Sequence, residues 1–196
     1  MKVKKLLTAV AAMFVLGSSA FAFDGETFWR EYGGGLKDGD GVFSVGAGVD
    51  TGFFAIPVLW TAGYNVFYIP YIETSYEKMV HINDMLPFSF GGYGGFNMYT
   101  YNPSAEHHWF YSTARVGALA KYHFNFCDNN MDVYAGIKIG LNTNLNFYDG
   151  TLSSTSTVLG FDYGGIIGVQ WFWDNFGITL ETGYPCWLNF KLSFKM

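Results

Sequence analysis

The last ten residues, Trp187 to Met196, alternate without a break. Leu188, Phe190, Leu192, Phe194 and Met196 fall on one side of an extended chain, and Trp187, Asn189, Lys191, Ser193 and Lys195 on the other. Successive strand side chains point to opposite faces, so this period predicts a strand with one apolar and one polar face. The same period recurs back along the chain. The predicted strands are Val42 to Thr51, about Tyr64 to His81, Leu86 to Tyr101, Trp109 to Phe126, Met131 to Phe147, Thr157 to Trp173, Phe176 to Tyr184 and Trp187 to Met196. Two kinds of connection separate them. Short Asn/Asp turns centre on Asn83, Asn129 and Asp174, and longer or proline-bearing loops surround Pro57, Pro103, Ser154 and Pro185. Short turns at one end and longer loops at the other predict an all-β fold, an eight-stranded antiparallel up-and-down transmembrane β-barrel.

One parity rule then sorts the side chains. The predicted outer face carries Phe43, Val45 and Val49, then Tyr64, Val66, Tyr68, Ile72 and Tyr76, then Phe88, Phe90, Phe96 and Met98. Later strands add Val116, Tyr122, Phe124, Val133, Ile137, Ile139, Leu141, Phe161, Ile167, Val169, Trp171, Ile178 and Leu180. The opposite face collects Asp50, Glu73, Glu77, Arg115, Lys121, Asp132, Lys138, Asp162, Glu181, Lys191 and Lys195; only Lys78 breaks the pattern. A lipid-facing Lys or Arg at mid-depth costs about 2–4 kcal/mol, which is the physical reason for such a rule. Aromatics near strand ends, among them Trp60, Tyr64, Tyr101, Trp109, Tyr111, Tyr122, Phe147, Trp171, Trp173, Tyr184 and Trp187, predict a girdle at the bilayer interfaces.

Composition and the N-terminus agree with this. Aromatic residues make up 20% of the chain and charged ones 14%, where soluble domains use about 25% charged residues. Residues 1–22 read as a secretory signal peptide: Lys2, Lys4 and Lys5 lead an apolar run from Leu6 to Gly17, followed by the Ala20-Phe21-Ala22 cleavage site. Residues 23–41 form an N-terminal segment, and residues 42–196 the barrel. Losing the three lysines makes the remainder more acidic than the full chain, whose net charge is −5, which excludes a basic nucleic-acid surface. Thr51 to Ile72 is uncharged and long enough for a membrane helix, but Gly52, Pro57, Gly63, Asn65 and Pro70 argue against one.

Sites for chemistry are sparse. The glycine clusters Gly33–Gly35, Gly91–Gly95 and Gly164–Gly165 lack the Lys-Ser/Thr context of a phosphate loop. They read instead as room for bulky lumen neighbours. Glu106, His107 and His108 offer no third metal ligand in register, and His81 and His123 have no evident catalytic partner. No catalytic residue, cofactor or metal site is predicted, and the chain reads as a non-enzyme. Cys127 and Cys186 fall at opposite barrel ends, so both thiols are predicted free.

Arg115 to Phe124, Met131 to Leu141 and the final strand resemble the small eight-stranded bacterial outer-membrane barrels of the OmpA transmembrane and OmpW type. That resemblance implies the bacterial outer membrane as location, with outer-membrane lipids and the barrel-assembly machinery as partners. It also implies a largely filled polar lumen, structural or admitting limited passage of small solutes. Glu73, Arg115, Lys121, Asp132, Lys138, Asp162, Glu181 and Lys191 are the candidate lumen charge network. Binding through the outer loops is the alternative reading, though those loops are short and lack aromatic anchors.

Overall fold

The structure is a computed structural model that describes residues 36–50, 53, 55–82, 86–102, 107–128, 131–149, 151–152 and 156–196. The predicted signal peptide and residues 23–35 lie outside these, as do Asn83, Asn129, Pro103, Glu106, Ser154 and the Cys127 side chain. Eight long strands are present: β1 (Gly41–Val49), β2 (Asn65–Ile82), β3 (Leu86–Asn102), β4 (Trp109–Asp128), β5 (Met131–Tyr148), β7 (Thr157–Trp173), β8 (Phe176–Gly183) and β9 (Leu188–Lys195). A two-residue strand, β6 (Thr151–Leu152), pairs with the end of β5. A short helix, α1 (Ala55–Thr61), occupies the connection between β1 and β2. No helix among the described residues is long and apolar enough to cross a membrane.

Each long strand pairs antiparallel with the next, and β1 pairs with β9, so the sheet closes on itself. Closure removes every continuous free edge that an open sheet would present. The Asp174-Asn175 turn joins β7 to β8, with Asp174 in the left-handed region at φ 55°, a conformation Asp tolerates better than most residues.

The parity rule describes seven of the eight long strands and one part of the eighth. Along β4, β5, β7, β8 and β9, charged and polar inner positions alternate with exposed apolar ones such as Val116, Ile137, Phe161, Ile167 and Phe190. Lys78 stays on the outer face, exposed near the turn end. In β2 the pairing with β3 shifts between Ile69 and Ile72, and Pro70, which has no N–H to give the ladder, sits in that bulge. One extra residue reverses the faces on its N-terminal side. Phe67 is therefore outside, and Tyr68, expected outside with Tyr64 and Val66, turns in to donate to Asp50 at 2.9 Å.

Two further features shape the interior. Residues ahead of β1 close the short-turn end: Leu36 packs with Val42, Met79 and Phe172 as an apolar floor. Backbone bonds from Gly39 to Met79 and from Met79 to Asp40 hold it there. The walls also differ in height. Strands β2 to β5 and β7 run 17–20 residues, while β1, β8 and β9 run 8–9. One side of the barrel therefore rises well past the other at the long-loop end.

Candidate functional site

Above the apolar floor a belt of hydrogen bonds runs through all eight long strands. Ser44 bonds Ser193, Ser193 bonds Thr179, and Thr179 donates to Gln170. Gln170 donates to Asp132 at 2.6 Å, and Asp132 accepts from His123 Nδ1 at 2.7 Å. His123 Nε2 lies 2.9 Å from Ser89 Oγ, Ser89 donates to Glu77, and Lys121 donates to Glu77 at 2.6 Å.

The next layer is a compact tetrad. Lys138 Nζ lies 2.7 Å from both Glu73 and Glu181, and Lys191 Nζ lies 2.6 Å from Glu73 and 2.9 Å from Glu181. Each ammonium touches both carboxylates, and all four groups are buried. Tyr134, fully buried, donates to Glu181 at 2.7 Å and lies under the Lys121 ammonium at 4.1 Å. Gly168 makes room for that ring, since a Cβ there would strike it. Buried charges survive only when paired and hydrogen-bonded, and the tetrad meets both conditions.

The upper layer is looser. Arg115 Nε pairs with Asp162 at 3.2 Å but off line, so neither atom makes an aligned hydrogen bond. Tyr184 donates to Asp162, and Asn97 and Tyr68 donate to Asp50. The hydroxyls of Tyr71 and Tyr93 and both amide atoms of Asn189 are buried with no hydrogen-bond partner among the described residues. Cys186 is unpaired and buried in this region, against Gly48.

All eight predicted network residues thus point inward, but two of them find partners outside the predicted set. Lys121 pairs with Glu77, which the predicted network omitted, and Asp132 pairs with His123 and Gln170 rather than with a lysine. His123 was given no partner by the sequence; its parity matches Lys121 and Arg115, and that was the available signal. Ser89, His123 and Asp132 reproduce the connectivity of a hydrolytic triad. However, Ser89 is fully buried and its proton is held by Glu77, so no substrate carbonyl reaches its oxygen. No group of three metal-ligating side chains forms among the described residues. His107 and His108 instead engage Asp149, with His107 Nδ1 at 2.8 Å and the His108 N–H at 2.8 Å.

Tyr101, Trp109 and Tyr111, expected in an outward girdle, stand on the inner face in register with Asn97 and Arg115. Tyr184 also turns inward. Trp60, Trp173 and Trp187 are exposed, as a girdle requires.

No protein-family model matches the chain, and no curated protein matches it. Among solved structures the chain is similar to Ail, the attachment invasion locus protein of Yersinia pestis. The TM-score is 0.46 and the identity 13%, over 82% of this chain and 100% of that one. The same protein in complex with the heparin analogue sucrose octasulfate gives 0.46 and 12% over the same shares. At this identity the likeness is one of fold alone. The resemblance to the OmpA and OmpW types stays a reading of the sequence.

Proposed function

We propose that this chain is an integral barrel of the bacterial outer membrane whose lumen is shut by its own side chains, a structural element that does not conduct. The observation carrying this reading is the inversion of the barrel. Apolar side chains stand exposed around it, Val116 at 63%, Phe161 at 66% and Ile167 at 59% among them. Lys138 and Glu73 are meanwhile fully buried inside. An apolar belt of this extent in water is an aggregation hazard, whereas in hydrocarbon it is the stable arrangement. Outer-membrane lipids are then the immediate partners, and the barrel-assembly machinery the route of insertion. The closed lumen is supported by the apolar floor, the complete belt and the tetrad stacked on one another. The interior of an eight-stranded barrel is narrow enough for side chains to fill it.

Fractionation tests the location. The expressed chain belongs in the outer-membrane fraction, needs detergent for release, and shows heat-modifiable gel mobility; recovery as a soluble periplasmic protein would overturn the reading. Planar bilayers test closure. The wild-type barrel gives no conductance steps, and steady conductance that changes in Glu181→Gln would replace the closed lumen with a solute path.

A further inference from the structure

Tyr99, Tyr101, Trp109 and Tyr111 gather where β3 and β4 rise past the low strands. Tyr99 lies opposite Tyr111 and Tyr101 opposite Trp109 in the register. The Tyr99 and Tyr111 rings are 4.6 Å apart and 9° from parallel, and Trp109 and Tyr111 are 6.0 Å apart and 12° from parallel. Tyr148 of β5 extends the group, its ring 4.5 Å from Trp109. A membrane girdle faces lipid; these rings share the inner face with Arg115. They are half-buried, unlike the inner positions lower down.

The short strands leave this face open on one side. The last β8 bond to β7 is Tyr184 N–H to the Gly165 carbonyl, and β7 continues for eight further residues, Thr157 to Gly164, about 26 Å of strand. On the same face Thr113 donates to Asn144 at 2.8 Å, and Asn144 donates to Asn142 at 3.2 Å. The rim is fastened. Asp149 ties His107 and His108 across from β4, His108 Nδ1 meets Asn102 at 2.9 Å, and the Tyr148 hydroxyl meets His107 at 2.9 Å. Among the described residues of this wall above Arg115, no Lys or Arg occurs, and Asp149 is the one acid.

We propose that this wall binds an uncharged saccharide. The inference rests on the outer-membrane reading, which puts the long-loop end outside the cell. Parallel aromatic rings offer apolar contact to the C–H faces of pyranose rings. Phenol, indole N–H and side-chain amide groups match sugar hydroxyls in both donor and acceptor sense. With no Lys or Arg among the described residues of the wall above Arg115, the wall lacks the guanidinium or ammonium groups that hold a phosphate or sulfate. Rings and amides already locked by their neighbours lose little freedom on binding. The saccharide comes either from the outer core of lipopolysaccharide in the same membrane or from a glycan on another cell.

The test uses the full mature barrel, folded in detergent micelles, with calorimetric titration of four probes. These are maltohexaose, chitotetraose, a dephosphorylated lipopolysaccharide outer-core oligosaccharide, and a heparin hexasaccharide as the charged arm. The expected result is saturable binding of at least one neutral probe, weakened at least tenfold in Trp109→Ala and several-fold in Tyr111→Phe. Trp171→Ala, on the outer face, leaves it unchanged. Binding of the core oligosaccharide alone assigns the source to the same membrane, and binding of either other neutral probe assigns it to another cell. No neutral binding, tighter binding of the heparin hexasaccharide, or insensitivity to both wall variants overturns the proposal. Heat-modifiable mobility is recorded for every variant. A folded barrel that binds no sugar sinks the saccharide site alone, whereas absence of a heat-modifiable barrel sinks the membrane reading. Tyr111→Phe removes one hydroxyl and keeps the ring, so it decides the matter even where Trp109→Ala does not fold.

Discussion

The lower and upper halves of the barrel interior use the same residue types to opposite ends. In the lower half, belt and tetrad satisfy one another, with every carboxylate met by a cation or an N–H donor. In the upper half, the Tyr71 and Tyr93 hydroxyls and the Asn189 amide are buried without hydrogen-bond partners among the described residues, and the aromatic wall beyond them is only half covered. A self-satisfied polar core fixes a structure. Half-covered rings beside an open face are what recognition of another molecule requires. The contrast follows from strand length, since three low strands stop where the five tall ones continue.

The largest test of this contrast lies in the tetrad. Lys138→Met leaves Glu73 and Glu181 sharing one lysine, with an expected loss of about 3–5 kcal/mol of unfolding free energy in lipid or detergent. Removing a carboxylate as well, in Lys138→Met with Glu181→Leu, recovers much of that loss, because the pair leaves together. His123→Ala strips Asp132 and Ser89 of a partner in the belt and costs nearly as much. By contrast, Trp109→Ala in the wall costs less than any of these. Equal losses in wall and belt would erase the distinction between the halves.

Glycines give a graded series. A Cβ at Gly91 strikes the Tyr76 carbonyl, which is backbone and cannot yield, while one at Gly95 strikes the Tyr71 phenol, the end of a movable ring. At Gly94 the nearest atom is 3.8 Å away, an ordinary contact. Overpacking costs about 1–3 kcal/mol, so stability falls in the order Gly91→Ala, Gly95→Ala, Gly94→Ala, with the last close to neutral. Urea titration of the three variants checks the order.

The smallest effect concerns the rim. The His108 N–H, then the His107 side chain, hold the Asp149 carboxyl below its ordinary range. A lowered folded pKa contributes stability that is present above the unfolded value, about 3.9, and is lost as pH falls through the lower folded one. The clasp is therefore intact at pH 5–7 and loosens only below about pH 4. Amide exchange at His108, faster below that pH in wild type and fast throughout in Asp149→Asn, reads it. A rim already loose at pH 6 would contradict the pinned wall.

Strand number, strand limits and the inner face of the eight network residues were legible in the sequence, because a period of two assigns every side chain to a face. That logic fails wherever the count slips. The bulge at Pro70 reversed the N-terminal part of β2, and a proline among apolar residues was the visible warning. Tyr101, Trp109 and Tyr111 share the parity of Asn97 and Arg115, but their position near strand ends suggested a girdle; strand-end location says nothing about face. Which acid meets which base was not legible. Lys121 finds Glu77 and Asp132 finds His123 because of stagger around the closed sheet, a quantity no single strand contains. Nor was the floor, built when Leu36, ahead of the first strand, folds under Val42, Met79 and Phe172. Local alternation thus determined the inside and outside of this protein, since burial against water or lipid is decided residue by residue. Closure, shear and unequal wall height decided its partners, because those depend on strands far apart in the chain.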